Sequence, residues 1–299
     1  MIGQYWSLRA HRHLRSKAAS AARARLYRVL ALLVVALLAN VASAGTIVGD
    51  LPPIDATTSL LVVSPHPDDE TLCCAGVIRR VVTAGGHVSV VWITSGDGSE
   101  LSMLLVEKSL FKPPDKVRDL AVKRVAEARA ATALLGVDST RQFFLGYPDG
   151  GVRKLLTDNR SSLQGDFIAV LDRVQPTLIL APSPLDTHPD HEATGLLTIR
   201  ALSRRGELAQ AHFWIVHGGE GWPAPRGYMP GIPLNMPPRG AGLAMVPFVL
   251  TDDEETSKLQ AVNAYHTQLQ VMAPFLLAFV RTSEIFSAIP VRPAGSATR

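Results

Sequence analysis

The stretch LLVVSPHPDDETLCCAGVI, residues 60–78, decides how the rest of the chain is read. It begins as a short apolar run rich in β-branched residues, the pattern of a buried strand. It then meets His66, Pro67, Asp68, Asp69 and Glu70 and continues as an apolar segment that closes near Gly85 and Gly86. Pro67 restrains His66 to an extended backbone and opens a helix with Asp68 and Asp69 in its first turn, where the helix dipole favours negative charge. A strand that ends in such groups presents them to whatever lies beyond its carboxyl end.

The same alternation recurs along the chain. Strands are predicted at 59–64, 87–94, 142–146, 177–182, 211–217 and 245–250. Helices are predicted near 69–84, 117–136, 161–174 and 190–205, and from Thr251, a plausible cap followed by acids. The segment up to Pro113 reads as a turn and a loop or lid, and 218–244 as a long loop rich in Gly and Pro. Strand–helix repetition implies an α/β fold, Rossmann-like, with a mostly parallel sheet and helices on both faces. Ligands gather beyond the carboxyl ends of such strands. The loops HPDDE, TSGDG, LGYPDGG and SPLDTHPDH should therefore converge on one edge.

The chain has 299 residues, 47% of them hydrophobic, enough for a sizeable core. Its net charge of +4 comes from the leader, since 1–44 holds seven Lys and Arg and no acid. Without it, 30 − 7 = 23 cations face 26 acids, a net of −3, so the body gives no warrant for a nucleic-acid partner. The leader's basic segment, the apolar run 29–39 and the small residues Ala42 and Ala44 follow the order of a secretory signal peptide. Cleavage after Ala44 is expected, leaving 45–299 as a single domain in the periplasm or outside the cell. The run is short against the ~20 residues that span a bilayer, so no membrane anchor is expected after cleavage, with an uncleaved anchor as the alternative. Cys73 and Cys74 are the only cysteines. Neighbours on a helix are not placed for an ordinary disulfide, and buried thiols are expected.

His66, Asp69 and His191 form a His2Asp set that suits one zinc, or another divalent ion, and leaves room for water and substrate. Adjacent carboxylates point differently, so while Asp69 binds metal Asp68 can take a proton from its water. In HPDH, one imidazole can reach the metal and the other the substrate, with Asp190 placed to hold His188 in a chosen tautomer. Each motif alone has a plainer reading, as a helix start or a solvated His. Both plainer readings would have to hold together at two strand ends.

PHPDDE with the later HPDH resembles the LmbE-like/PIG-L family of zinc-dependent N-deacetylases, which act on N-acetylglucosaminyl groups of glycolipids, thiol-cofactor precursors, oligosaccharides and glycopeptides. The similarity covers most of 58–287. It includes LAVKRVAEARAATALLGV, similar to the family's Arg-x-x-Glu helix, then LGYPDGG and a late AYHTQ. The resemblance implies His66, Asp69 and His191 as metal ligands and Asp68 as general base. It implies His188 as the group that meets the developing oxyanion, with Asp190 behind it. It matches Arg124 to a sugar contact and places Asp149 at the site. Arg124 could instead pair with Glu127 or Glu107, and Asp149 could simply make its turn. Where some members carry a catalytic Tyr this chain has Asp186, which leaves the proton donor to the amine open. Gly is frequent in the family near Cys73 and Ala75. The implied function is removal of an N-acetyl group from an amino sugar, with release of acetate. One alternative is a metal hydrolase of another bond such as a phosphoester. Such sites often use two metals, and no phosphate-cradling Gly-rich motif is present. Another alternative is a non-catalytic metal- or carbohydrate-binding protein, which would not need Asp68.

Overall fold

The computed structural model describes residues 50–158 and 162–288, which fall within one compact unit, Val48–Arg299. The leader and its expected cleavage site lie outside the described residues. In chain order the strands are β1 (Ser59–Ser64), β2 (His87–Thr94), β3 (Gln142–Tyr147), β4 (Leu178–Pro182), β5 (Ala211–Trp214), β6 (Met245–Val249) and β7 (Ser283–Ser287). The helices are α1 (Asp69–Thr83), α2 (Glu100–Leu105), α3 (Pro114–Leu134), α4 (Val152–Thr157), α5 (Leu163–Val174), α6 (Pro189–Arg205), α7 (Asp252–Asn263) and α8 (His266–Leu276).

They build a seven-stranded sheet of order β3-β2-β1-β4-β5-β7-β6. β1 to β5 pair in parallel, while β7 runs antiparallel to both β5 and β6. β1 is apolar and fully buried over 60–63, as a parallel strand covered on both faces must be. Leu60 and Val62 join the core that includes Leu72 and Ile78 of α1 and Ala128 of α3. Leu61 and Val63 join the opposite core, with Phe167 of α5 and Leu197 of α6. The chain runs outward from β1 through β2 and β3, then returns to β4 on β1's other side. That reversal opens a crevice beyond the ends of β1 and β4, where the two His motifs stand.

Several elements differ from expectation. The lid region contains α2, capped by Ser99 Oγ, which accepts from Ser102 N at 3.2 Å. α4 follows LGYPDGG and, at six residues, is too short to show a helical period. β5 stops at Trp214, short of His217. β7 escaped the sequence reading because its buried residues include Ser283, Glu284 and Ser287. Glu284 accepts from Gly76 N at 2.8 Å and Val77 N at 3.1 Å, and pairs with Lys258 Nζ at 2.8 Å. Lys258 also donates to Leu72 O at 2.7 Å. The buried ion pair thus ties α1 to α7 and β7. Thr251 caps α7 through a capping box with Glu254.

Cys73 and Cys74 are joined by a disulfide, not the separate thiols expected. Their Cα atoms are 3.7 Å apart, closer than in most disulfides. Both side chains are enclosed in the core beneath α1, so the two sulfurs share one space.

Candidate metal and active site

β1 delivers the chain to Pro65, His66 and Pro67, and α1 starts immediately after. Asp68, the residue before α1, has φ 122°, a backbone region that side-chain-bearing residues rarely adopt. Its N–H donates to Glu70 Oε2 at 3.2 Å. Glu70 is fully buried and also accepts from Trp92 Nε1 at 2.8 Å, Thr71 Oγ1 at 2.7 Å, Ser64 Oγ at 3.3 Å and the Tyr265 hydroxyl. Donors from β1, β2, α1 and the α7–α8 junction thus fix the turn on which Asp68 sits. The second motif is set by α6, which His188 caps and Pro189 opens. A Cβ on Gly195 would lie 2.5 Å from Pro182 O, so only glycine lets α6 rest on the end of β4.

Three donor atoms then meet. Asp69 Oδ2 lies 3.1 Å from His66 Nδ1 and 3.1 Å from His191 Nε2, and the two nitrogens are 3.3 Å apart. A tetrahedral zinc with bonds of about 2.0–2.2 Å separates its ligands by about 3.3–3.5 Å, so this triangle fits one face of such a site. The other nitrogen of each ring is held by carboxylates. His66 Nε2 faces Asp149 Oδ1 at 3.1 Å and Asp190 Oδ2 at 3.4 Å. His191 Nδ1 faces Asp186 Oδ2 at 3.2 Å. This arrangement fixes the tautomers that turn His66 Nδ1 and His191 Nε2 toward one point.

The electrostatics agree. Burial alone would lower His191, but Asp69 and Asp186 push it up to about 9. Burial would lower His66 too, yet Asp149, Asp190 and Asp69 raise it well above the ordinary histidine value. Asp69 is held well below the carboxylate range against burial by the two imidazoles. Carboxylates outnumber the protons two rings can carry, and a divalent cation meets the same surplus when it displaces them.

Asp68 differs from its neighbour. Burial and the adjacent Asp69 charge push its carboxyl well above the usual range, although Arg124 and His66 oppose this. Among the described residues no hydrogen bond reaches its carboxylate, which faces a cavity of about 390 Å3. His188, His217 and Arg124 line the same cavity, and Leu72, Val216, Met272 and Phe275 give it an apolar wall. Burial and the charges of His66 and His191 lower His188 to about 4.

Asp190 does not hold His188 with its carboxylate, as expected from the HPDH spacing. Its oxygens accept from Gly150 N at 2.7 Å and Val152 N at 3.1 Å and brace His66. The backbone N–H of Asp190 reaches His188 Nδ1 at 3.3 Å instead, and so leaves the proton of the neutral ring on Nε2. An acid at the second turn position cannot fold back onto the cap while α6 directs it inward. Asp149 accepts from Gly98 N at 2.8 Å and supports His66, so its carboxylate is already engaged where it borders the cavity. Arg124 takes neither of the plainer pairings. Glu127 accepts from Thr267 and Glu107 from Lys123, while Arg124 donates to Gly96 O and to Ser102 Oγ at 2.7 Å.

Sequence reasoning assigned no role to three residues of this site. Asp186 accepts from Val216 N, His217 N and His188 N at 2.9–3.0 Å besides facing His191. His217 stacks on Phe275 with ring centroids 5.5 Å apart and lies 5.1 Å from His188. Glu70 was visible only as part of the acidic run. The signal for His217 was its position just past a strand on the same sheet edge. The late AYHTQ segment does reach the site, since Gln268 Nε2 donates to Pro67 O at 2.8 Å.

Residues 61–202 match the family described as PIG-L: GlcNAc-PI de-N-acetylase. A 1D-myo-inositol 2-acetamido-2-deoxy-alpha-D-glucopyranoside deacetylase of Mycobacterium sp. (strain KMS) is 30% identical over 240 residues, covering 72% of this chain and 75% of that protein. The chain belongs to the PIG-L family. Its fold is shared with the A40926 pseudoaglycone deacetylase Dbv21, at 24% identity over 72% of this chain and 84% of that one, TM-score 0.53. It is shared too with a triple mutant of a deacetylase from teicoplanin biosynthesis, at 20% identity over 80% of this chain and 100% of that one, TM-score 0.57. As a PIG-L protein the chain is a metal-dependent deacetylase, a hydrolase of N-acetyl amide bonds, and its His and Asp donors suit the zinc of that family.

Proposed function

We propose that this chain deacetylates an N-acetylglucosaminyl compound outside the cytoplasm, releasing acetate and a free amine. One observation carries the reading: Asp68 and His188 border one cavity beside the His66–Asp69–His191 triangle. The name of the 30%-identical relative and the family description both support an N-acetylglucosaminyl substrate. Bound at His66 Nδ1, Asp69 Oδ2 and His191 Nε2, zinc supplies polarisation of the acetyl carbonyl and a more acidic water.

The chain's own residues do the rest. Asp68, with its raised carboxyl, takes the proton from the attacking water. His188 is neutral near pH 7, and its Nε2–H donates to the acetyl oxygen as charge develops there. Asp186 does not protonate the leaving amine, because it is enclosed, held below the carboxylate range and surrounded by N–H donors. Asp68 returns the proton it has taken to that nitrogen. Arg124, buried and without a carboxylate at ion-pair distance among the described residues, faces the sugar as a cation. The basic, apolar and small-residue order of 1–44 supports export with cleavage after Ala44, leaving 45–299 as one domain.

Acetate release from an N-acetylglucosaminyl inositol by the zinc-loaded protein tests the activity. Asp68→Asn should keep zinc and lose about 10²–10⁴-fold in kcat, and His188→Ala about 10²–10³-fold. Near-normal turnover in both would move the chemistry elsewhere. If Asp68→Asn loses zinc as completely as Asp69→Asn, the division between the adjacent acids is wrong. An intact N-terminus on the protein recovered from cells would refute cleavage.

A further inference from the structure

The cavity wall carries a second imidazole beside His188. His217 borders the cavity, and among the described residues no hydrogen bond reaches either nitrogen of its ring. The residue is nonetheless fixed in place. Its backbone N–H donates to Asp186 Oδ2 at 3.0 Å, and its carbonyl accepts from Thr187 N at 3.1 Å and Thr187 Oγ1 at 3.0 Å. The ring stacks on Phe275, the planes 13° apart, and meets His191 edge to face with centroids 4.8 Å apart. Asp186 Oδ2 thus holds His191 through its ring and His217 through its backbone.

Both imidazoles of the wall come near the His66–Asp69–His191 triangle. A nitrogen of His217 lies within 4.8 Å of an Asp69 oxygen and of a His191 nitrogen. A nitrogen of His188 lies within 4.8 Å of nitrogens of His66 and His191. The lone pairs separate the two rings. His188 Nδ1 accepts from Asp190 N, which leaves the proton on Nε2, so the neutral ring has no lone pair to give. Either neutral tautomer of His217 leaves one nitrogen as an unengaged acceptor. Ligands of a tetrahedral zinc stand about 3.3–3.5 Å apart, so the His217 nitrogen has at most about 1.5 Å to close. The χ2 torsion of histidine is broad, and a turn about it supplies such a movement. Three imidazoles and one carboxylate then make a donor set that suits zinc.

Four protein ligands close a zinc site, and a catalytic site needs a position for its substrate. Only one of the four is placed to give way. The second nitrogen of His66 is braced by Asp149 and Asp190, and that of His191 by Asp186. Asp69 Oδ2 sits between these two rings. No carboxylate braces the ring of His217 among the described residues, and it stands on the cavity wall. We propose that His217 is a fourth, releasable metal ligand, which holds the ion while the cavity is empty and yields its position to the substrate. The ligand role rests on the zinc site at His66, Asp69 and His191; the release rests also on the deacetylase function proposed above.

The test is a long-range proton–nitrogen correlation spectrum of the full chain labelled with 15N-histidine, zinc-free and zinc-loaded, with His217→Gln and His191→Gln to assign the signals. On loading, one nitrogen each of His66, His191 and His217 should move to the metal-bound range, and neither nitrogen of His188. Acetohydroxamate, a chelating mimic of the acetyl amide, should return His217 alone to its zinc-free position. Zinc affinity, read by competition with a chromogenic chelator, should fall in His217→Gln by more than the about 10–100-fold that loss of an outer partner costs, and in His188→Gln by less. The spectrum needs only the unaltered chain, so a variant that fails to fold does not spare the proposal. Metal-bound signals at His66 and His191 with His217 unmoved would overturn it. So would hydroxamate binding that leaves His217 on the metal, or a His217→Gln affinity within about twofold of the unaltered protein. If His66 and His191 also stay unmoved, the three-ligand site falls with it. Ligation by all three rings in a chain that releases no acetate would sink the deacetylase function and leave the fourth ligand standing.

Discussion

Asp186→Asn isolates what the residue between the two motifs contributes. Asp186 Oδ2 faces His191 Nδ1 at 3.2 Å and accepts from Val216 N at 2.9 Å and His217 N at 3.0 Å. Oδ1 accepts from His188 N at 2.9 Å. Asparagine keeps the shape but has one acceptor oxygen. Wherever its NH2 is placed, a buried N–H loses its acceptor, at a cost of about 1–3 kcal/mol in stability. His191 also loses the charged partner that fixes its tautomer, which lowers metal affinity about 10–100-fold. That range corresponds to about 1.4–2.7 kcal/mol of zinc binding. Zinc affinity would be read by competition with a chromogenic chelator, and stability by urea denaturation of the zinc-free protein. kcat at saturating zinc should change less than affinity, because Asp186 is not assigned to the substrate. Affinity within about twofold of the unaltered protein would refute the tautomer argument. Complete loss of zinc, matching His191→Ala, would show that Asp186 does more than orient the ring.

Three further outcomes follow from other parts of the molecule. Lys258→Met leaves Glu284 buried without its cation and should cost about 3–5 kcal/mol in urea denaturation; a loss under about 1 kcal/mol would mean the ion pair does not brace α1. Tyr265→Phe removes one donor from the Glu70 cluster that fixes the turn at Asp68, so stability should fall by about 1.5–3 kcal/mol. In the same variant kcat should fall more than zinc affinity; the opposite order would place the cluster's effect on the metal. Burial would raise Glu254, but hydrogen bonds from Arg80 hold it below the ordinary carboxylate value. A lowered folded value means the pair stabilises above the unfolded carboxylate value, and that contribution is lost as pH falls through the folded one. Arg80→Met should therefore flatten the acid limb of stability against pH over that window, and an unchanged limb would show that the pair contributes nothing.

The sequence by itself determined the alternating elements and the two motifs. Strands such as β1 are buried on both faces and read as continuous apolar runs, while α7 declares its start through Thr251 and Glu254, three residues apart. His66 and Asp69 are likewise three apart, so their meeting is a local consequence of Pro67 and the start of α1. The tertiary structure decided what each acid touches. Asp149 and Asp190 reach His66 only because β3 ends and α6 begins on the sheet edge where β1 ends. Asp190 faces inward to the loop amides rather than to His188 because α6 sets its direction. Glu70 looked like one more acid of a helix start, and its burial among donors from four elements became visible only once those elements packed. β7 is polar in sequence because its Glu284 is matched by Lys258 and by the amides of α1, partners supplied from distant positions in the chain. Local patterns record what a residue does with neighbours a turn away. The partner of a buried charge is chosen by the fold, because a low-dielectric interior requires one wherever in the chain it lies.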